Sequence, residues 1–271
     1  MQTRQTVLVD SSTRGVTGFV DIHSHILPGI DDGAATIEEA VSMLRMAASS
    51  GTVDIVATPH ANAHYAFDPS QVALKIAELQ RSIGPLPRIH RGCEFQMNVD
   101  NIRDALDNPA KYAINHLRYL LVEFSDFLIP NNTGQIFDRF RQSGLTPIVA
   151  HPERNPILRS HLDRLLAWIE NGARVQVTAA SFLGSFGADV KAAAAELMNR
   201  NMVHFVASDA HDSKRRTPVL HDAYRYVAEN WDPRLAKLLF CTAPEAVIEG
   251  GKILLIDPQP VAEKKWYRLG F

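Results

Sequence analysis

Asp21-Ile22-His23-Ser24-His25, followed at once by Ile26-Leu27-Pro28-Gly29-Ile30-Asp31-Asp32-Gly33, joins the signal of a buried strand to that of a metal site. Side chains alternate faces along a strand, so His23 and His25 point to one side and bring two imidazole nitrogens within reach of a single ion. The Pro28-Gly29 and Asp31-Asp32-Gly33 steps force a turn that returns a carboxylate toward the pair.

Other apolar runs repeat the strand signal. Segments rich in Val, Ile, Leu or Phe fall at 18–25, 54–60, 88–95, 119–125, 146–151, 174–180 and 203–209. They are too short for helices and predict strands buried on both faces. Helix signals lie between them. Thr36-Ile37-Glu38-Glu39 is a capping box opening a helix that Gly51 ends, and Asp68-Pro69-Ser70-Gln71 opens another with Pro69 at its first position. Segments 131–143, 160–171 and 188–201 complete the alternation, with a shorter helix within 99–107. Beyond 217 the pattern is mostly helical, with a short strand expected at Ile253–Ile256. Seven β/α alternations without a composition break predict one α/β domain over 18–271, a (β/α)7 TIM-like barrel of parallel strands with outer helices. An open doubly wound sheet satisfies the same pattern. Residues 1–17 read as an N-terminal extension, with Val7-Leu8-Val9 as a short strand candidate.

Composition narrows the function. A formal net charge of -2 gives no electrostatic footprint for nucleic acid. Cys93 and Cys241 cannot build a disulfide framework, no apolar run has the length of a membrane span, and the N-terminus lacks a secretory apolar core. These features predict a cytoplasmic protein without membrane insertion.

Parallel barrels carry their functional residues at the C-terminal ends of strands. The first run ends in His23 and His25, the second in His60, and the third and fourth carry Glu94 and Glu123. The fifth ends in His151 and leads to Glu153 and Arg154, and the seventh ends in Asp209 and His211. Only the sixth ends without a strong ligand. With Asp32, four carboxylates and five histidines would meet at one mouth and repel one another without bound cations. Imidazole and carboxylate without thiolate suit Mn, Fe or Zn, and nine ligands are too many for one ion, so two or three divalent ions are expected. Arg154 and Arg216, or its neighbour Arg215, lie just beyond two of these motifs and could grip an anion such as phosphate.

The motifs DIHSHILPGIDDGA (21–34), ATPH (57–60), GCEF (92–95), LVEFS (121–125), AHPERN (150–155) and ASDAH (207–211) resemble the PHP superfamily of metal-dependent phosphoesterases. Within it the chain resembles the bacterial tyrosine-protein phosphatases of capsule and exopolysaccharide loci, the CpsB/CapC type. The resemblance implies a distorted barrel of seven β/α units and a trinuclear site, usually loaded with manganese. It implies His23, His25, Glu94 and Asp209 around one ion, Glu94, Glu123 and His151 around a second, and Asp32, His60 and His211 around a third. It also implies phosphate contacts from Arg154 and Arg216, and as substrate the tyrosine-phosphorylated tail of a cognate kinase. Two departures stand out: the 1–17 extension, and Asn155 where the family often has an aromatic.

The reaction these residues predict is direct hydrolysis of a phosphate monoester, with His60 or His211 as candidate proton donors to the leaving group. A cysteine nucleophile would need C-x5-R, yet Val99 and Val247 stand six residues after the two cysteines. A histidinol-phosphate phosphatase, a nucleic-acid-trimming phosphodiesterase and a catalytically silent metal-binding regulator are the competing readings.

Overall fold

The first apolar run folds as β1 (Phe19–Ser24), and α1 (Ile37–Ser49) follows, with the Thr36 hydroxyl accepting from the Glu39 N–H at 3.3 Å. The computed structural model describes residues 18–260; the N-terminal extension, including Val7-Leu8-Val9, lies outside them. Next come β2 (Thr52–Ala57), β3 (His60–Ala61) and α2 (Pro69–Ile83). The Asp68 carboxylate caps α2 by accepting from Ser70 N–H at 2.8 Å, and Pro69 needs no partner there. β4 (Arg88–Arg91), β5 (Glu94–Gln96), α3 (Val99–Asp107) and α4 (Pro109–Tyr112) lead to β6 (Tyr119–Glu123). The chain continues through α5 (Thr133–Gln142), β7 (Thr146–Ala150), α6 (Pro156–Ser160), α7 (Leu162–Glu170) and β8 (Arg174–Thr178). It closes with α8 (Ala179–Phe182), α9 (Ala188–Asn199), β9 (Phe205–Ala207), α10 (His221–Asn230), α11 (Pro233–Lys237) and α12 (Ala243–Glu249).

All strand pairs are parallel, in two sheets ordered β1-β2-β4 and β3-β5-β6-β7-β8-β9. The second and third predicted strands are therefore each split in two. Pro59, which has no N–H for a ladder, separates β2 from β3, and Gly92-Cys93 separates β4 from β5. Backbone bonds step across these breaks, Gly92 N–H to Ala57 O at 2.8 Å and Glu94 N–H to Pro59 O at 3.1 Å. On the other flank, His25 N–H donates to Ala210 O and Asp209 N–H to His23 O, both at 2.8 Å, tying the end of β1 to the segment after β9.

Strand alternation sorts the side chains of β6 into two of the three packed clusters. On β6, Leu120 and Val122 join Phe140, Leu165 and Val149 beneath the helices. Tyr119 and Leu121 face a second cluster with Ile148 and Phe205, and Glu123 continues their row toward the strand end. An apolar floor thus lies under the polar site. Truncating the fully buried Phe140 to alanine would cost about 3–5 kcal/mol.

One strand expectation fails. Ile253–Ile256 is not a strand: it has no ladder partner among the described residues, and Leu254, Leu255 and Ile256 remain substantially exposed. Apolar character alone does not make a strand where no sheet edge is within reach. Among the described residues no helix is long and apolar enough to cross a membrane.

Candidate metal centre

The strand ends bring all nine predicted ligands together. Glu94, at the start of β5 and almost fully buried, occupies the centre. Its Oε2 lies 3.3 Å from His23 Nε2, 3.1 Å from His25 Nε2 and 3.1 Å from His60 Nδ1, and its Oε1 lies 2.8 Å from His151 Nε2. Asp209 Oδ1 approaches His23 Nε2 at 3.4 Å, and Asp32 Oδ1 lies 3.3 Å from His60 Nε2 and 3.5 Å from His211 Nε2. Glu123 Oε2 stands 3.7 Å from His60 Nδ1.

Ligand atoms within 4.8 Å of one another form four groups: His25, Asp32, His60 and His211; His23, His25 and Glu94; His23, His151 and Asp209; His60, Glu94 and Glu123. His151 groups with His23 and Asp209 and also meets Glu94 Oε1 at 2.8 Å, and Glu123 groups with Glu94 and His60. Glu94 is central, its two oxygens facing four imidazoles.

The imidazoles are pre-oriented. His25 Nδ1 is held by Asp31 Oδ2 at 2.7 Å, His23 Nδ1 by Gln176 Oε1 at 2.9 Å, and His211 Nδ1 by the Asp209 carbonyl at 3.0 Å. Each contact fixes the ring and turns Nε2 inward, the arrangement found around metal-ligating histidines. Gln176 comes from β8, the sixth predicted run, which the sequence left without a ligand, and a neutral amide carries no ligand signal. Asp31 also accepts from His60 N–H at 3.1 Å and Gly33 N–H at 3.1 Å, so it organises the loop while Asp32 faces the cluster. Gly33 is required there, because an added Cβ would fall 2.0 Å from His25 O. His151 and Asp209 adopt positive φ angles of 33° and 52°, two of five such non-glycine residues among those described.

Charge balance favours cations. Burial pushes the Glu94 carboxyl up, but the His23, His151 and His25 rings outweigh it and hold the group well below its ordinary value. Burial and the Glu94 carboxylate push Glu123 up to about 7. Burial depresses His25, yet Asp31 and Glu94 raise it well above its ordinary value. Asp209 is held low against burial by His23, Arg154, His151 and Arg216. No lysine or arginine among the described residues forms an ion pair with Glu94, so imidazolium or a bound metal must offset that buried charge. His60 Nδ1 lies 3.1 Å from Glu94 Oε2 without hydrogen-bond geometry to it, an arrangement that fits two ligands facing a shared ion.

Arg154 and Arg216 line the wall. Both donate to Asp209 Oδ2, Arg216 from Nη2 at 2.5 Å. Asp212 Oδ1 accepts from the Lys214 and Arg215 N–H groups, and Arg216 O accepts from His211 N–H at 2.8 Å. That turn returns Arg216 to the cluster and leaves Arg215 exposed. Phe186 lies 4.6 Å over the Arg154 guanidinium, a contact with no motif to announce it. Glu153 does not join the cluster: its Oε1 accepts from Thr178 N–H and Ser181 Oγ, bracing the end of β8. Asn155 caps α6 by accepting from Ile157 and Leu158 N–H, and its Nδ2 donates to Ser125 O at 3.1 Å.

Similar proteins bear on this site. The family model described as capsular polysaccharide synthesis, CpsB/CapC, matches residues 19–249. CapC of Staphylococcus aureus is 36% identical over 263 residues, covering 93% of this chain and 100% of that protein. The tyrosine-protein phosphatase YwqE of Bacillus subtilis (strain 168) is 32% identical over 253 residues, covering 92% and 99%. A solved chain from the crystal structures of YwqE from Bacillus subtilis and CpsB from Streptococcus pneumoniae, described as metal-dependent tyrosine phosphatases, matches with a TM-score of 0.83 at 31% identity, covering 90% of this chain and 100% of that one.

Proposed function

This chain belongs to the CpsB/CapC family of capsular polysaccharide synthesis, and from that premise we propose that it is a metal-dependent protein-tyrosine phosphatase. The proposed substrate is the tyrosine-phosphorylated tail of a cognate bacterial kinase that controls capsule or exopolysaccharide synthesis. One observation carries the reading: nine ligand-type side chains from separate strand ends converge with two arginines on a single buried cluster. Backbone bonds on both flanks of the two sheets support closure into one distorted (β/α)7 barrel, and clusters shared from β1 to α12 support a single domain from Gly18 onward. A cytoplasmic location fits the two unpaired cysteines.

His23, His25, Asp32, His60, Glu94, Glu123, His151, Asp209 and His211 would hold two or three divalent ions, with manganese favoured and iron or zinc compatible with the same donors. When bound, such ions supply a nucleophilic water of lowered pKa and neutralise phosphoryl charge. The P–O bond to the tyrosyl oxygen breaks as water oxygen joins phosphorus, giving inorganic phosphate and tyrosine. Arg154 and Arg216 orient the phosphoryl oxygens and spread their charge through bidentate hydrogen bonds. His60 and His211 flank half-exposed Asp32 at the lip, and whichever of the two rings is not held by a metal ion is placed to give the departing phenolate its proton. Cys93 takes no part: it is fully buried, and burial pushes its thiol up.

The test is side-by-side hydrolysis of a phosphotyrosyl peptide and histidinol phosphate, with and without chelator. Preference for the peptide, loss on chelation and recovery with Mn are expected. Preference for histidinol phosphate would overturn the substrate assignment.

A further inference from the structure

A cavity of about 320 Å3 opens beside the metal cluster and shares Glu123, His151 and Arg154 with it. Phe124, Phe127 and Leu158 also line it. A phosphoryl group held by Arg154 would direct its ester substituent into this cavity, where charged and apolar side chains share the lining. Two of the apolar walls are committed to the core: Leu158 is fully buried, and Phe124 stacks on Trp168 with ring centroids 5.3 Å apart. Phe127 is different. It is 94% exposed, so its ring has no packing role in the fold, yet it stands at the rim of the site.

The segment bearing Phe127 is held in place. Asn155 Nδ2 donates to Ser125 O at 3.1 Å and to Asp126 Oδ1 at 3.3 Å, and Phe127 N–H donates to Ser125 Oγ at 3.2 Å. Farther along, Arg164 Nη2 donates to Pro130 O at 3.1 Å. Asn155 sits next to Arg154, so one side chain couples the phosphate-gripping turn to the aromatic rim. An exposed aromatic ring fixed to a scaffold at the rim of a polar cleft is suited to a flat apolar partner.

We propose that Phe127 is a specificity-determining residue that packs against the tyrosyl ring of the phosphoester and selects aryl over smaller phosphates. The inference rests on the phosphotyrosine reading and extends it to one side chain.

The experiment compares the metal-loaded full chain with Phe127→Ala and Phe127→Tyr on a phosphotyrosyl peptide, with phenylphosphonate and inorganic phosphate as competitive inhibitors. For Phe127→Ala, the KM for peptide and the Ki for phenylphosphonate should each rise about three- to tenfold, as expected for loss of one aromatic contact. The kcat and the Ki for inorganic phosphate should stay within about twofold, because neither reports ring packing. Phe127→Tyr should restore both aryl constants. Equal weakening of phenylphosphonate and inorganic phosphate, or no change in either aryl constant, would overturn the proposal while leaving peptide hydrolysis by the parent chain intact. Failure of the parent chain to hydrolyse the peptide would instead remove the phosphotyrosine reading, and this inference with it.

Discussion

Gln176 reaches His23 Nδ1 from a strand that carries no ligand of its own, and replacing it tests whether ring orientation matters. Gln176→Leu should weaken metal binding about 10–100-fold without unfolding the chain, as read by titration of metal-stripped protein. Unchanged affinity would make the contact incidental. His151→Ala and Asp209→Ala should each reduce phosphotyrosine hydrolysis to background while urea unfolding still shows a cooperative transition; activity retained in either would contradict the site assignment. Arg154→Ala should lower kcat/KM by about 100-fold or more, because one donor to the phosphoryl charge is lost. At this scale the sequence was legible where chemistry is distinctive. Histidines and carboxylates at strand ends stood out, and all nine converge. Asp31, Gln176 and Phe186 did not, because a turn aspartate, a neutral amide and a loop phenylalanine are common without any site. Only their contacts with His25, His23 and Arg154 give them meaning.

The loop between β1 and α1 shows how an element is built for its task. Asp31 Oδ2 binds both His25 Nδ1 and His60 N–H, Oδ1 binds Gly33 N–H, and Ala34 N–H donates to His25 O at 3.0 Å. Gly33 permits that close return of the backbone. Gly33→Ala should destabilise the fold by about 1–3 kcal/mol through overpacking and reduce metal occupancy, measured together by urea unfolding and metal content. Caps were the most readable element signals, since Thr36 and Asp68 act through local hydrogen bonds that need no tertiary partner. The segment Ile253–Ile256 shows the opposite case, because a strand also needs a neighbouring edge and the local sequence does not reveal one. The breaks at Pro59 and Gly92-Cys93 were likewise hidden inside apolar runs, although Pro59 had the chemistry to suggest the first.

Across the whole molecule, buried ionisable groups couple stability to pH. His204 lies in the core with Nδ1 accepting from Val175 N–H at 3.2 Å, and burial, helped by Arg174, pushes its pKa down to about 3. The folded chain therefore keeps this imidazole neutral, whereas the unfolded chain protonates it near 6.5. Its contribution is complete above about pH 6.5 and is lost progressively as pH falls toward 3. His204→Gln, which retains an acceptor, should lose about 1–2 kcal/mol less than the parent between pH 7.5 and 5.0 in urea unfolding; equal losses would contradict this. The α/β class and the parallel direction of the strands were legible because buried strands alternate with capped helices, while strand order was not. The division into two sheets was not, because pairing depends on contacts between segments distant in the chain. The central claim is that nine dispersed side chains form one cation cluster that drives phosphate ester hydrolysis. Element-specific metal analysis of freshly purified protein, paired with a phosphotyrosine assay on the same samples, tests it most directly. The account predicts about two or three divalent ions per chain, activity that vanishes with their removal and returns with Mn, and loss of both in Asp209→Ala. Full activity in protein stripped of metal would contradict it.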